Sequence, residues 1–378
     1  MHILPIFSNV ISILSILIQV QDDDTTYHNL QTNRRIQCDS DDILFQMCTM
    51  ASIDLQSAMR SPSTGITTGS PPSPGGRTTL TFSRDWLVHI ANQTIDITRK
   101  GKYVNTLGAE VQVADALKHA MDQSVHYHSS HVFAPSKTQT RQFETQYRVW
   151  YGSSLNVATH LQQIVPEAHV GILNSASGKT PGGKFFRGTI SQEDCICRAS
   201  LLYPCLVKYV DRPHHFYVVN NKPKYQQSNS TCAIYSPLVP IIRQDTVRGE
   251  LLNSISKFSF VSTPAPNAFV LGETPVPKAQ APGDSEAPEH ISLNEAMRDR
   301  CFRTLCIFAE QNCTDLVLCA FGCGVHGNDP VEVAAAFRDI LATEQFVGRF
   351  RTIAFAIQPS RHHNYKAFVE AFQEAEQS

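Results

Sequence analysis

The sequence has few charges and no surplus of either sign: 17% of its 378 residues are Asp, Glu, Lys or Arg, and the formal net charge is −2. A dedicated nucleic-acid binder would be clearly basic and a polyacidic tail clearly acidic, so neither class fits. A compact anion held by backbone groups is still allowed. A hydrophobic content of 42% excludes collagenous, coiled-coil and wholly disordered chains. At this length a core buries roughly three quarters of the surface that the unfolded chain exposes, so disulfides are not needed for stability.

Cys-x-x-Cys is also lacking. The eleven cysteines, an odd number, include Cys195, Cys197 and Cys205, then Cys301, Cys306, Cys313, Cys319 and Cys323, with no paired metal knuckles and many inside apolar runs. They read as reduced, buried thiols of a cytoplasmic or nuclear protein, with zinc as the alternative. His126, His128 and His131 have no acid or cysteine at ligand spacing and read as an exposed loop. His214-His215 and His362-His363 read as adjacent pairs pointing to opposite sides of an extended chain.

The apolar run Ile3 to Val20 is long enough to span a bilayer, but no Lys or Arg precedes it and no small-x-small cleavage site follows. That weakens a secretory signal and leaves a signal anchor as an alternative. The sequons at Asn92, Asn229 and Asn312 are triplets frequent by chance.

Residues 1–78 divide into this leader, a polar stretch and the Ser/Thr/Pro/Gly run Ser61 to Gly76, which cannot bury enough apolar surface to order itself. A single domain is expected over 79–375, with a Pro-rich surface loop at 264–289. Trp86, Leu87, Ile90 and Ile95 near helical spacing predict a helix that Gly101 stops. Leu155–Val165, Ser191–Leu202, Met297–Gln311 and Val331–Leu341 read as helices; His169–Leu173, Ile255–Thr263, Leu316–Phe321 and Thr352–Ile357 read as strands. Continuous apolar strands separated by helices imply an α/β fold, its parallel or mixed sheet covered on both faces, with ligands beyond the carboxyl ends of the strands.

Two loops lie at such ends. Asn174 to Phe185 (NSASGKTPGGKF) is glycine-rich; Gly178, Gly183 and Lys184 fit a phosphate-loop pattern, but Phe185 stands where Ser or Thr should hold a metal. Ser191-Gln192-Glu193-Asp194 follows, with Ser191 as N-cap and Asp194 at N3 of a helix. Gly322 to Asn328 leads into a second helix capped by Asp329, with Pro330 at N1; its glycine-rich amides and the helix N-terminus suit a diphosphate.

Together NSASGKTPGGKF, SQEDCICRASLLYPCL, STPAPN and LCAFGCGVHGNDPVEVAAAF resemble the microbial-type poly(ADP-ribose) glycohydrolase family, a branch of the macrodomain fold. The resemblance implies a three-layer α/β/α macrodomain-like sandwich with a mixed sheet and a helical N-terminal extension. It implies a glycosidase acting on ADP-ribose or poly(ADP-ribose), with ADP-ribosylated proteins as further partners and no metal or redox cofactor. A monomer is expected. On the matching positions, Asn174 sits at the distal ribose, Gly182 and Gly183 belong to the signature loop, and Gly322, Cys323, Gly324, Val325, His326 and Asn328 form the diphosphate loop. Gln192, Glu193 and Asp194 occupy the Gln-Glu-Glu motif, whose second acid protonates the leaving ribose oxygen and then assists water.

Three positions depart from the family: Lys184 replaces the third glycine, Asp194 the catalytic Glu, and His326 an aromatic. Asp194 reaches one methylene less far, and Glu193 is expected to point elsewhere. A catalytically impaired ADP-ribose reader is therefore the alternative function.

Overall fold

The computed structural model describes residues 83–133, 142–225, 228–272, 276–277 and 290–373. The apolar leader, the polar stretch, the Ser/Pro/Gly linker and most of the Pro-rich stretch lie outside them. In chain order the elements are α1 (Arg84–Lys100), β1 (Lys102–Val104), β2 (Glu110–Gln112), α2 (Ala114–Asp122), β3 (Val125–Tyr127), β4 (Gln146–Tyr151), α3 (Ser154–Ile164), β5 (Val170–Ser175), a 3-10 turn (Phe185–Arg187), α4 (Gln192–Ala199), α5 (Leu202–Val207) and α6 (Phe216–Asn220). After a second 3-10 turn follow β6 (Ala233–Arg243), β7 (Leu251–Thr263), α7 (Ala268–Leu271), β8 (Val276–Pro277), β9 (His290–Ile291), α8 (Leu293–Glu310), β10 (Asp315–Cys319), α9 (Pro330–Leu341), β11 (Thr352–Ile357) and α10 (His362–Gln373).

Helix α1 starts where the Ser83 side chain accepts the Trp86 N–H and ends at Gly101, whose left-handed φ of 69° lets its N–H reach Ile97 O. It buries Ile90, Ala91, Thr94, Ile95 and Ile97 as the helical extension.

Seven strands form one mixed sheet in the order β3-β6-β7-β5-β10-β11-β4. The pairs from β7 through β4 are parallel, whereas β6 is antiparallel to both β7 and β3. β10 is buried along its whole length, and β5 and β11 all but end to end, as continuous apolar runs demand when helices cover both faces. Alternation sends Val170, Ile172, Val317 and Ala354 to one face, against Leu155 and Leu161 of α3 and Ile196 of α4. Leu173, Leu316, Leu318 and Phe355 go to the other, against Leu305 and Phe308 of α8, Phe337 of α9 and Phe368 of α10. The result is a three-layer α/β/α sandwich.

After β5 the chain builds β6 and β7 on one side, then crosses to place β10 on the other. The carboxyl end of β5 is thus a topological switch point, the place where open α/β sheets bind ligands. β5 carries Asn174 and Ser175 there, in register with Ser262 and Thr263 of β7.

Several elements differ from the sequence expectation. The helix expected over Ser191–Leu202 is two, broken at Ser200, whose extended backbone bridges to Ile241. Pro204 explains the break, since a continuous helix would drive its ring into the carbonyl of Ser200. β6 contains Pro237, which sits in a register shift between Ser236 and Val239, and Pro240, which pairs with Lys257 beyond it. His126 lies in edge strand β3 rather than a loop, and His362-His363 open α10 rather than an extended segment.

Candidate active site

The first half of the site is fixed by the N-terminus of α4. Ser191 and Asp194 form a capping box: Ser191 Oγ accepts the Asp194 N–H and Asp194 Oδ2 accepts the Ser191 N–H at 2.8 Å. The other carboxylate oxygen, Oδ1, accepts the Lys184 N–H at 2.8 Å, which ties the glycine loop to the helix. Asp194 is 2% exposed and both its oxygens are engaged.

Gln192 is equally committed. Its Oε1 accepts the Ser175 N–H at 2.9 Å, and its Nε2 donates to Leu173 O at 2.9 Å and to Ser154 Oγ at 2.7 Å. It stitches α4 to the end of β5.

Glu193 differs. It is also 2% exposed, and Oε2 accepts the Ser177 N–H at 2.7 Å, but Oε1 is buried with no hydrogen-bond partner. Burial pushes its carboxyl up to about 8, with help from the neighbouring Asp194 charge and against the pull of the Ser177 N–H and, more weakly, of the Asn174 side chain and the Gly182 backbone. Asn174, 0% exposed, donates from Nδ2 to Ser262 Oγ at 3.0 Å, while its Oδ1 is likewise buried and unpartnered. Buried acceptors without donors are costly, and two of them at the end of β5 fit a ligand that brings hydroxyl groups.

Gly183 has φ 63°, and a Cβ there would stand 2.9 Å from Asp194 Oδ1 and 3.1 Å from Glu193 Oε2. The glycine therefore lets the backbone lie against two carboxyl groups at once. Lys184 does not need to be glycine: its φ is −120°, its side chain is exposed, and its contribution is its N–H. Instead of a helix, the 3-10 turn Phe185–Arg187 follows it, so the loop lacks the architecture of a phosphate loop.

The second half lies after β10. Asn328 Nδ2 donates to Pro266 O at 2.9 Å and to Gly322 O at 3.0 Å, so its carboxamide closes the loop rather than facing solvent. Cys323 donates its N–H to Ala320 O. Among the described residues the N–H groups of Gly324, Val325 and His326 find no acceptor, and they precede α9, capped by Asp329 with Pro330 in its first turn. Such amides at a helix N-terminus suit an anion. His326 accepts the Ala268 and Phe269 N–H groups at its carbonyl, and burial beside Arg300 lowers its ring pKa. The Phe269 ring covers Gly327.

The candidate site residues thus lie at the end of β5 (Asn174), in the two loops that leave β5 and β10, and at the helix N-terminus behind the first loop. Ser177, Ala265 and Pro266 lie within motifs of the resemblance without having been singled out, and Asn229 read only as a sequon, yet these four hold the loops. The nine described cysteines are free thiols, seven of them buried, and no group of three or more His, Cys, Asp or Glu among the described residues could hold a metal. No described helix is long and apolar enough to cross a membrane.

Residues 91–244 match the family model described as microbial-type PARG, catalytic domain. No curated protein sequence matches the chain. Among solved structures, poly(ADP-ribose) glycohydrolase from Thermomonospora curvata bound to the inhibitor ADP-HPD is 29% identical with a TM-score of 0.63, the alignment covering 76% of this chain and 99% of that one. The Deinococcus radiodurans poly(ADP-ribose) glycohydrolase in complex with ADP-ribose is 29% identical with a TM-score of 0.55, covering 68% and 98%. The chain is thus similar over residues 91–244 to the microbial-type PARG catalytic-domain model, and it shares its mixed-sheet α/β fold with these bacterial poly(ADP-ribose) glycohydrolase structures.

Proposed function

We propose that the protein is an ADP-ribosyl glycohydrolase that hydrolyses the ribose–ribose bonds of poly(ADP-ribose) or releases ADP-ribose from modified targets. The observation that carries this reading is Glu193: a buried carboxyl whose Oε2 accepts the Ser177 N–H and whose Oε1 meets no donor at hydrogen-bond geometry, with burial pushing its pKa up to about 8. A proton held on a neutral acid inside a cleft is what cleavage of a glycosidic bond requires.

In this account the diphosphate rests on the amides of Gly324, Val325 and His326, with Gly322 and Asn328 shaping the loop and Cys323 beside it. The distal ribose reaches over Gly182 and Gly183 to Asn174, whose Oδ1 accepts one of its hydroxyls. Glu193 gives its proton to the departing oxygen as the bond to the anomeric carbon breaks. The resulting carboxylate stabilises the oxocarbenium-like centre and takes a proton from the attacking water. Asp194, where the family has its catalytic Glu, anchors the loop through Lys184 and Ser191. Its short side chain is spent on those two amides, so the acid role passes to its neighbour. Gln192 fixes the helix on which both acids stand.

A second reading follows from the same feature. If Glu193 cannot replace the missing Glu, the protein is an ADP-ribose-binding reader, because both Asp194 oxygens are held by the Lys184 and Ser191 N–H groups, away from the role of a proton donor. Incubation with poly(ADP-ribose) separates the two. Release of ADP-ribose supports the hydrolase; calorimetric binding without release even at high protein concentration supports the reader. Absence of both activities rejects the two readings together.

A further inference from the structure

Asn229 stands between the two halves of the site, in a left-handed conformation with φ 57° that Asn tolerates better than most side chains. Its backbone is fixed from both sides: its N–H donates to Tyr225 O at 2.9 Å, and its carbonyl accepts Nη2 of Arg300 at 2.8 Å. Arg300 is buried, and the same nitrogen also holds Ser228 O at 2.7 Å. Next to it Asn220, fully buried, accepts the Ser230 N–H on Oδ1 at 2.7 Å.

The side chain so presented reaches both ligand loops. Asn229 Nδ2 donates to Ala265 O at 2.8 Å, and Oδ1 lies against Gly178, where a Cβ would come within 2.6 Å of it. Gly178 follows Ser177, whose N–H holds Glu193. Ala265 in turn touches the diphosphate loop: a Cβ on Gly322 would lie 2.6 Å from the Ala265 Cβ, and the next residue, Pro266, accepts from Asn328. One carboxamide thus spans from the turn that carries the Glu193 ligand to the segment that carries the anion loop.

We propose that Asn229 is a positioning residue that sets the spacing between the acid and the diphosphate loop. This rests on the hydrolase or reader assignment of the same cleft. A ligand that spans both loops senses that spacing, whereas one that occupies only the diphosphate loop does not.

The test compares ADP-ribose with ADP, which lacks the distal ribose, on the wild type and on Asn229→Gly, whose glycine accepts the left-handed backbone. The expected result is a loss of about tenfold or more in ADP-ribose affinity and in kcat/KM, with ADP affinity and Tm nearly unchanged. Asn229→Asp, which keeps the size and Oδ1 but not the donor to Ala265, is expected to show a smaller loss of the same kind. Gly178→Ala is expected to be impaired and to lose no further function when combined with Asn229→Gly, because the atom it strikes is then gone. Unchanged ADP-ribose affinity in Asn229→Gly overturns the proposal, as does an equal loss for ADP and ADP-ribose. Should Asn229→Gly fail to fold, full ADP-ribose affinity in Asn229→Asp overturns it instead. A wild type that neither binds nor releases ADP-ribose defeats the functional assignment itself, and the positioning role with it.

Discussion

The Asp194 carboxylate accepts the main-chain N–H of Lys184 at 2.8 Å, ten residues upstream, while its second oxygen caps the helix it stands on. Asp194 is thereby the clasp between the glycine loop and α4.

Asp194→Ala should therefore act first on stability. It removes one arm of the capping box and strands the Lys184 N–H, a loss of roughly 1–3 kcal/mol. Urea unfolding should show a lower midpoint, and ADP-ribose affinity should fall with it. Unchanged stability with abolished turnover would instead return the acid role to Asp194.

Lys184 contributes a backbone group, so Lys184→Ala should leave kcat/KM within about threefold, the scatter expected of an exposed side chain. Lys184→Pro, which has no N–H, should lose the clasp and resemble Asp194→Ala. Equal, severe defects in the two Lys184 variants would mean that the ammonium itself binds ligand.

Gly183→Ala places a methyl 2.9 Å from Asp194 Oδ1 in a left-handed backbone. The carboxyl groups must move, and a displacement near 1 Å costs on the order of 10²-fold in rate. A steady-state assay on poly(ADP-ribose) measures this; a variant as fast as wild type would show that neither carboxyl needs its present place.

Stability should depend on pH through Glu193. Its pKa rises from an ordinary value of 4.5 to about 8 on folding, so the folded protein holds this proton more tightly than the unfolded chain. The contribution is fully present below about 4.5 and is lost as pH rises to about 8, on the order of 1 kcal/mol per pH unit across that window. Glu193→Gln should flatten this part of the curve in denaturant titrations at several pH values. An identical pH dependence in wild type and variant would mean that folding leaves the Glu193 pKa unshifted.

Much of this was legible from residues alone. The runs that become β5, β10 and β11 are apolar without interruption because both sheet faces are covered, and Ser191, Asp194, Asp329 and Pro330 are found in the capping positions that their identities favour. What was hidden has physical reasons. β6 is disguised by Pro237 and Pro240, the first of which sits in its bulge. The separate tasks of Glu193 and Asp194 depend on Lys184 and Ser177 arriving from a loop whose path no local pattern dictates. Asn229 read only as a sequon, yet its side-chain nitrogen is occupied by Ala265 O.

The central claim is that Glu193 carries the proton, and turnover of poly(ADP-ribose) by Glu193→Gln at neutral pH tests it most directly. The account predicts a loss on the order of 10²–10⁴-fold in ADP-ribose release, the share usually supplied by one positioned acid, with ADP-ribose affinity retained. Turnover at the wild-type rate would contradict it.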